Sequence, residues 1–188
     1  MLINRYIERL PKICVNGKEH RFINGIGYGI DGYCCEKGDE LRGNGNGEVN
    51  YTAIAIKGLL FHYKPTGATI TVDGVEHRFE KVWLAPTMIG RYYGGGMMPT
   101  PEQDRLNGDG AVSVMVYYGS GKLKSLAVFP SIFKGEHIKH SEMVAVLSGR
   151  NITVCFDEPR PLQIDGETVP GVREYSVTAC EEKVLQPA

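Results

Sequence analysis

A mostly β architecture, an antiparallel two-layer β-sandwich with one or two inserted helices, is what this 188-residue sequence predicts. Three observations carry it. A hairpin pattern occurs three times: a β-rich run, then Asn-Gly or Asp-Gly, then another run. Glycine accounts for 24 residues and tyrosine for 10, against a usual glycine share of about 7%, a composition of many tight turns between strands. Helical periodicity is sparse.

The hairpins come in order as KICV-NG-KEHRFIN around Asn16 and Gly17, ATITV-DG-VEHRFEKVWLA around Asp73 and Gly74, and LQI-DG-ETV around Asp165 and Gly166. Two-residue type I′ turns need positive φ at both central positions, which Asn-Gly and Asp-Gly tolerate best. The flanks alternate as half-buried strands do: Ile70 and Val72 face one way, Thr69, Thr71 and Asp73 the other. Further strands are predicted over residues 111–118, 151–157 and 173–179. The apolar run NYTAIAIKGLLFHY (50–63) reads as a buried helix capped by Asn50, weakened by Gly58. A second helix is read over 122–133, ended or kinked by Pro130. The glycines of INGIGYGIDG have no helical pattern behind them, and residues 36–48 (EKGDELRGNGNGE) read as a loop.

Length favours a single domain, residues 1–188. The 21 basic and 22 acidic residues give a formal net charge of −1, which argues against a nucleic-acid binder. Five cysteines (Cys14, Cys34, Cys35, Cys155, Cys180), odd in number and without C-x-x-C spacing, read as reduced and mostly buried. The longest stretch free of charge and histidine is the 12 residues 110–121, short of the roughly 20 a membrane span needs. The expectation is a soluble, cytoplasmic chain that meets a membrane only from the side. Unpaired edge strands invite a homodimer.

No Walker loop, Rossmann fingerprint or G-x-S-x-G elbow is present. His137 and His140, three apart, lack a third metal ligand and read as a solvated loop. Three segments stand out. RYYGGGMMP (91–99) lets backbone approach a ligand through Gly94, Gly95 and Gly96, or is simply a bulge or turn. PTPEQDRLNGDG (99–110) sets Glu102, Asp104 and Asp109 in a punctuated loop, suited to a hard cation such as magnesium or calcium, or simply solvated. LQIDGE (162–167) would put Asp165 and Glu167 on one side of a regular strand, as a carboxylate pair over a cleft. Asp-Gly is also the ordinary hairpin turn.

In this order, RFINGIGYGIDG, YTAIAIKGLLF, ITVDGVEHRFEKVWLA, RYYGGGMMPTPEQDRLNGDG, FPSIFKGEHIKH and LQIDGE resemble the C-terminal domain of the diacylglycerol kinase and sphingosine kinase superfamily, in its bacterial lipid-kinase branch. The resemblance runs from about Lys12 to Ala179. It implies an NAD kinase/diacylglycerol kinase-like β-sandwich in an ATP- and Mg²⁺-dependent kinase that phosphorylates a lipid hydroxyl at the membrane surface. It assigns Asp165 as general base, Glu167 and Gly166 to the nucleotide side, and Gly94, Gly95 and Gly96 to the interdomain cleft. Asp109, with Asp104, falls on the structural magnesium loop; Asp109 is the closer match, because the loop carries an extra residue between Leu106 and Asp109. The family's N-terminal nucleotide-binding domain, with G-G-D-G-T and G-T-x-N-D elements, has no counterpart in this sequence. The chain therefore reads as the second half of a kinase, inactive in isolation; Met97, Met98, Phe129 and Phe133 either line its cleft or belong to the core. Asp165→Asn is expected to lower turnover of the whole enzyme by orders of magnitude with folding intact. Two alternatives stay open: a non-catalytic lipid- or ligand-binding sandwich, and an NAD kinase-like phosphotransferase.

Overall fold

A computed structural model describes residues 10–44, 49–105 and 110–179. Ten strands, all paired antiparallel, form it: β1 (Lys12–Val15), β2 (Lys18–Arg21), β3 (Gly25–Tyr28), β4 (Thr66–Val72), β5 (Val75–Val82), β6 (Thr87–Met88), β7 (Val112–Tyr117), β8 (Val144–Gly149), β9 (Asn151–Ile164) and β10 (Glu167–Thr178). Strand β9 organises them. Its first half pairs with β4 and its last three residues with β3, while β10 follows it along most of its length. The sheet thus divides on β9 into two layers, one running β5-β4-β9-β10-β1-β2 and the other β9-β3-β6-β7-β8. Pro159 and Pro161, which have no N–H to give, lie between the two pairing regions, where β9 has neither β4 nor β3 beside it.

All three predicted hairpins form. Asn16, Asp73 and Asp165 take φ of 51°, 48° and 49°, each followed by a left-handed glycine. The layers bury one core between them, holding Ile13 and Val15 of β1, Ile70 of β4, Val154 and Phe156 of β9, and Val112, Val114 and Val116 of β7. Tyr28 packs edge-on against Phe156 and Tyr175 and donates its hydroxyl to Val172 O, so this buried ring is also hydrogen-bonded. Strand β7 is buried throughout. Its alternate residues Met115 and Tyr117 point into a second cluster with Trp83, Leu84, Ile132 and Leu59. That cluster lies between the sheet and an outer helical layer.

The helical layer comprises α1 (Ile30–Gly43), α2 (Tyr51–Lys57) with a π turn (Gly58–His62), and α3 (Lys122–Val128) with 3₁₀ turns at Phe129–Lys134 and Glu136–Lys139. Asn50 caps α2, its side chain accepting from Ala53 N at 2.9 Å. Gly58 marks the change to the π turn, and the α-helix at 122 ends before Pro130 as the sequence suggests. Among the described residues no helix is long and apolar enough to cross a membrane.

Helix α1 corrects two expectations, since it follows the glycine-rich strand directly and occupies most of the segment read as a loop. Its glycines are packing contacts rather than breakers. A Cβ at Gly32 would run into the carbonyl of Pro161, and one at Gly38 would lie 2.7 Å from the Tyr51 ring. The exposed face is held by Lys37–Glu40 and Asp39–Arg42 pairs three apart, each contributing about 0.2–0.5 kcal/mol. Gly32→Ala therefore forces backbone apart and is expected to destabilise by about 2–4 kcal/mol. Gly43→Ala, at the end of the same helix with open space around the added carbon, should be neutral or slightly stabilising. Urea unfolding midpoints check both; equal midpoints would show that α1 does not rest on the β9 backbone.

Candidate functional site

A pocket of about 840 Å³ opens between the helical layer and the end of the β9–β10 hairpin. Helix α1 contributes Asp31, Cys34, Cys35 and Arg42; α2 and its lead-in contribute Asn50, Tyr51 and Ala55. The Phe129 and Phe133 rings come from the 3₁₀ turn, Tyr93, Gly94, Gly95 and Met97 from the glycine loop, and Gln163, Asp165 and Gly166 from the hairpin.

Asp165 stands at the turn with its carboxylate engaged by backbone. Ile23 N donates to Oδ2 at 2.6 Å, and Asn24 N and Gly25 N donate to Oδ1 at 2.9 and 3.0 Å. A carboxylate offers about four acceptor sites, so three donors leave Oδ2 one open. The same device recurs at Asp73, whose carboxylate accepts from Arg150 N and Asn151 N. In both turns the hydrogen bonds offset the cost of a left-handed non-glycine residue, about 1–2 kcal/mol. The turn also separates Asp165 from Glu167. Glu167 is exposed at the start of β10 and outside the pocket lining. The side-by-side pair expected of a regular strand is not formed.

The second carboxylate of the pocket is Asp31, which sequence reasoning missed. It lies in the first turn of α1, where the helix dipole favours negative charge by about 0.3–1 kcal/mol. Burial outweighs this and pushes its carboxyl from the ordinary 3.8 up to about 6, a hydrogen bond from Gln163 offsetting part of the rise. Gln163 Nε2 donates to Asp31 Oδ2 at 3.0 Å, and its Oε1 accepts from Gly166 N at 2.6 Å, so one amide joins the buried acid to the hairpin turn. Space for this pair exists because position 27 is glycine; a Cβ there would overlap the Asp31 carboxyl. The signal was available: Asp31 is the sole charged residue in the fourteen residues 22–35.

Near Asp31 lies the hydroxyl of Tyr93, buried and without a hydrogen-bond partner among the described residues. Burial first, then the charge of Asp31, raises it well above the usual phenol range. The glycine loop that carries it is a tight turn, Tyr93 N donating to Met97 O at 3.0 Å, with Gly94, Gly95 and Gly96 all at positive φ. The segment is the turn that the sequence offered as one reading, and Gly94 and Gly95 line the pocket, whereas Gly96 does not. Asn24 ties the rim together, donating to Tyr92 O and accepting from Arg105. The Cys34 and Cys35 thiols are pushed up to about 12, by burial and then by Asp31, and so stay protonated at neutral pH. Of the four described cysteines, only Cys34 is buried, and Cys14 is exposed.

Of the remaining candidates, Met97, Phe129 and Phe133 line the pocket and Met98 does not. His137 is buried with Nε2 on Pro99 O at 2.9 Å. Glu102 and Asp104 are exposed, and Asp109 lies outside the described residues. Among the described residues no three His, Cys, Asp or Glu side chains gather where a metal could sit.

Residues 24–181 match the model of the YegS C-terminal NAD kinase β-sandwich-like domain. The chain belongs to this family. Two curated relatives named diacylglycerol kinase, from Mycobacterium tuberculosis strains CDC 1551 / Oshkosh and ATCC 25618 / H37Rv, are each 29% identical over 174 residues, 92% of this chain. The chain spans about half of their length, 54%. Two solved structures from Bacillus anthracis str. Sterne, also named as diacylglycerol kinases, superpose with TM-scores of 0.60 and 0.57 at 16% identity. They cover 91% and 90% of this chain, and the match spans 54% and 53% of theirs. The NAD kinase/diacylglycerol kinase-like sandwich that the sequence resemblance implies is thus the fold observed.

Proposed function

We propose that this chain is the acceptor-side half of an ATP-dependent lipid kinase, placing a diacylglycerol- or sphingosine-like hydroxyl for attack on the γ-phosphate. One observation carries the reading: a single pocket holds two carboxylates, Asp31 and Asp165, and an unpartnered tyrosine hydroxyl, against an apolar wall of Ala55, Met97, Phe129 and Phe133. A buried polar group without a partner costs about 1–3 kcal/mol, which a ligand oxygen on Tyr93 would offset. The apolar wall suits an acyl chain. The names of the relatives support the same chemistry.

Phosphoryl transfer is mostly positioning and charge neutralisation, with a carboxylate taking the alcohol proton. In this reading Tyr93 and Asp31 hold the acceptor hydroxyl, and Asp165 takes the proton at the open site of Oδ2. Glu167, Gly166 and the loop Gly94–Gly96 face the nucleotide, which a separate N-terminal half grips; the isolated chain does not transfer phosphate. The assignment of magnesium to Asp104 and Asp109 rests on the resemblance of their loop. A second reading of the proton acceptor has its own observation. Asp31, ionising at about 6, sits nearer the operating pH that favours a general base, while Asp165 is already held by three amides. An acidic limb near pH 6 in the rate profile, removed by Asp31→Asn, would assign the base to Asp31.

The test is transfer from ATP to dioctanoylglycerol, sphingosine and NAD by this chain joined to a nucleotide-binding half. Transfer to one of the two lipids is the expected result. Transfer to NAD alone would make the chain part of an NAD kinase-like enzyme, and lipid binding without transfer to any acceptor would make it a non-catalytic module.

A further inference from the structure

Gln163 is a buried polar side chain in the pocket to which the phosphotransfer chemistry gives no task. It is 5% exposed, near the end of β9, and directly opposite Gly27 of β3. Its amide has one orientation open to it. Gly166 N can only donate, so the atom 2.6 Å away is Oε1, and Nε2 is left to face Asp31 Oδ2 at 3.0 Å. Glycine at position 27 makes room for this pair, since a Cβ there would lie 2.6 Å from Gln163 Nε2. Asp31 Oδ1 has no hydrogen-bond partner among the described residues.

A fixed N–H on Oδ2 decides what Oδ1 does. An ionised oxygen accepts far better than a protonated one, so Oδ2 stays the acceptor of Nε2, and any proton Asp31 holds sits on Oδ1. Once that proton leaves, Oδ1 becomes the open acceptor. We propose that Gln163 is a positioning residue: it pins Asp31 Oδ2 to the β9–β10 hairpin and reserves Oδ1 for the hydroxyl that will be phosphorylated. Only the identity of that hydroxyl rests on the lipid-kinase reading. The other ionisable groups around Asp31 provide no such hold. Cys34 and Cys35 on its own helix and Tyr93 of the glycine loop are neutral at neutral pH. Asp165 on the hairpin carries like charge, and Arg42, at the far end of α1, is paired with Asp39.

The experiment is a carboxyl-carbon NMR titration of Asp31 in the 188-residue chain, its signal assigned with Asp31→Asn, beside the rate profile of the joined protein. Gln163→Glu keeps an oxygen for Gly166 N but sets a carboxyl against Asp31 in place of the donor. Two carboxyls that close share a proton and titrate as a pair, so the upper step should lie about one pH unit or more above wild type. Gln163→Met removes both hydrogen bonds; Asp31 should rise there too, by less, and the unfolding midpoint should fall because Gly166 N loses its acceptor. In the joined protein, Gln163→Glu should move the acidic limb of kcat up by the same interval as the carboxyl and leave the KM for ATP unchanged. An Asp31 titration unchanged in both variants would overturn the proposal. So would wild-type rates across the pH range in Gln163→Glu, which would reduce Gln163 to an acceptor for Gly166 N. If the joined protein transfers no phosphate to lipid, the lipid-kinase reading fails, and the titration alone decides whether Gln163 holds Asp31.

Discussion

Asp165→Asn, made in this chain joined to a nucleotide-binding half, is expected to cut turnover at least a hundredfold and to lower the unfolding midpoint by several degrees. The first effect is that of removing a general base, about 10²–10⁴ in rate. The second corrects the expectation of untouched folding. Asparagine turns one acceptor oxygen into an NH₂ facing backbone N–H groups that the carboxylate now satisfies. Such a mismatch costs about 1–3 kcal/mol, roughly 2–4 °C per kcal/mol in a chain of this size. Asp73 provides an internal control. It occupies the same kind of turn and clasps two backbone amides, but lies outside the pocket lining. Asp73→Asn should lower the midpoint too and leave turnover unchanged. Near-normal turnover in Asp165→Asn would reduce Asp165 to a staple of its hairpin.

Asp31→Asn is expected to stabilise the fold at neutral pH while weakening lipid binding. The carboxyl ionises at about 6 in the folded chain against an ordinary 3.8, so the folded state holds its proton more tightly. Below 3.8 both states are protonated and the group is neutral to stability. Between these values the unfolded chain loses its proton first, and stability falls as pH rises. Above 6 the whole penalty stands, at 1.36 kcal/mol per unit about 1–3 kcal/mol. Asparagine carries no such penalty and can still accept from Gln163. Its unfolding midpoint should exceed wild type at pH 7.5, with the gap closing towards pH 4. A lower midpoint at pH 7.5 would mean that the Asp31 charge is compensated, and the pocket would lose its poised carboxyl. A residue that destabilises its own fold in this way is typical of a functional site.

Much of the fold was legible because turn chemistry is local. Asn16-Gly17, Asp73-Gly74 and Asp165-Gly166 specify their hairpins without help from the rest of the chain, and alternation at Ile70 and Val72 gives the buried face. Helix α1 was not legible, because no helical pattern follows the glycines up to Gly32, the stretch holding Gly38 reads as a loop, and the purpose of these two glycines, close approach to Pro161 and Tyr51, exists only in three dimensions. The site was half legible. Gly94, Gly95, Phe129, Phe133 and Asp165 could be singled out from motif and composition. Tyr93 could not, since an unpartnered hydroxyl is a property of its surroundings. Asp31 could have been, as a lone charge in an apolar stretch. The pairing of Asp165 with Glu167 failed because the period of a strand was applied across a turn.

In the proposed function this chain supplies the acceptor side of a phosphotransfer cleft and needs a separate half to supply the donor. Labelled phosphate transfer from ATP to dioctanoylglycerol, measured with the 188-residue chain alone and with the chain joined to a nucleotide-binding half, tests it directly. Background transfer is expected from the chain alone, and clear transfer once it is joined. Robust transfer by the chain alone, or none from the joined protein when both halves are folded, would contradict it.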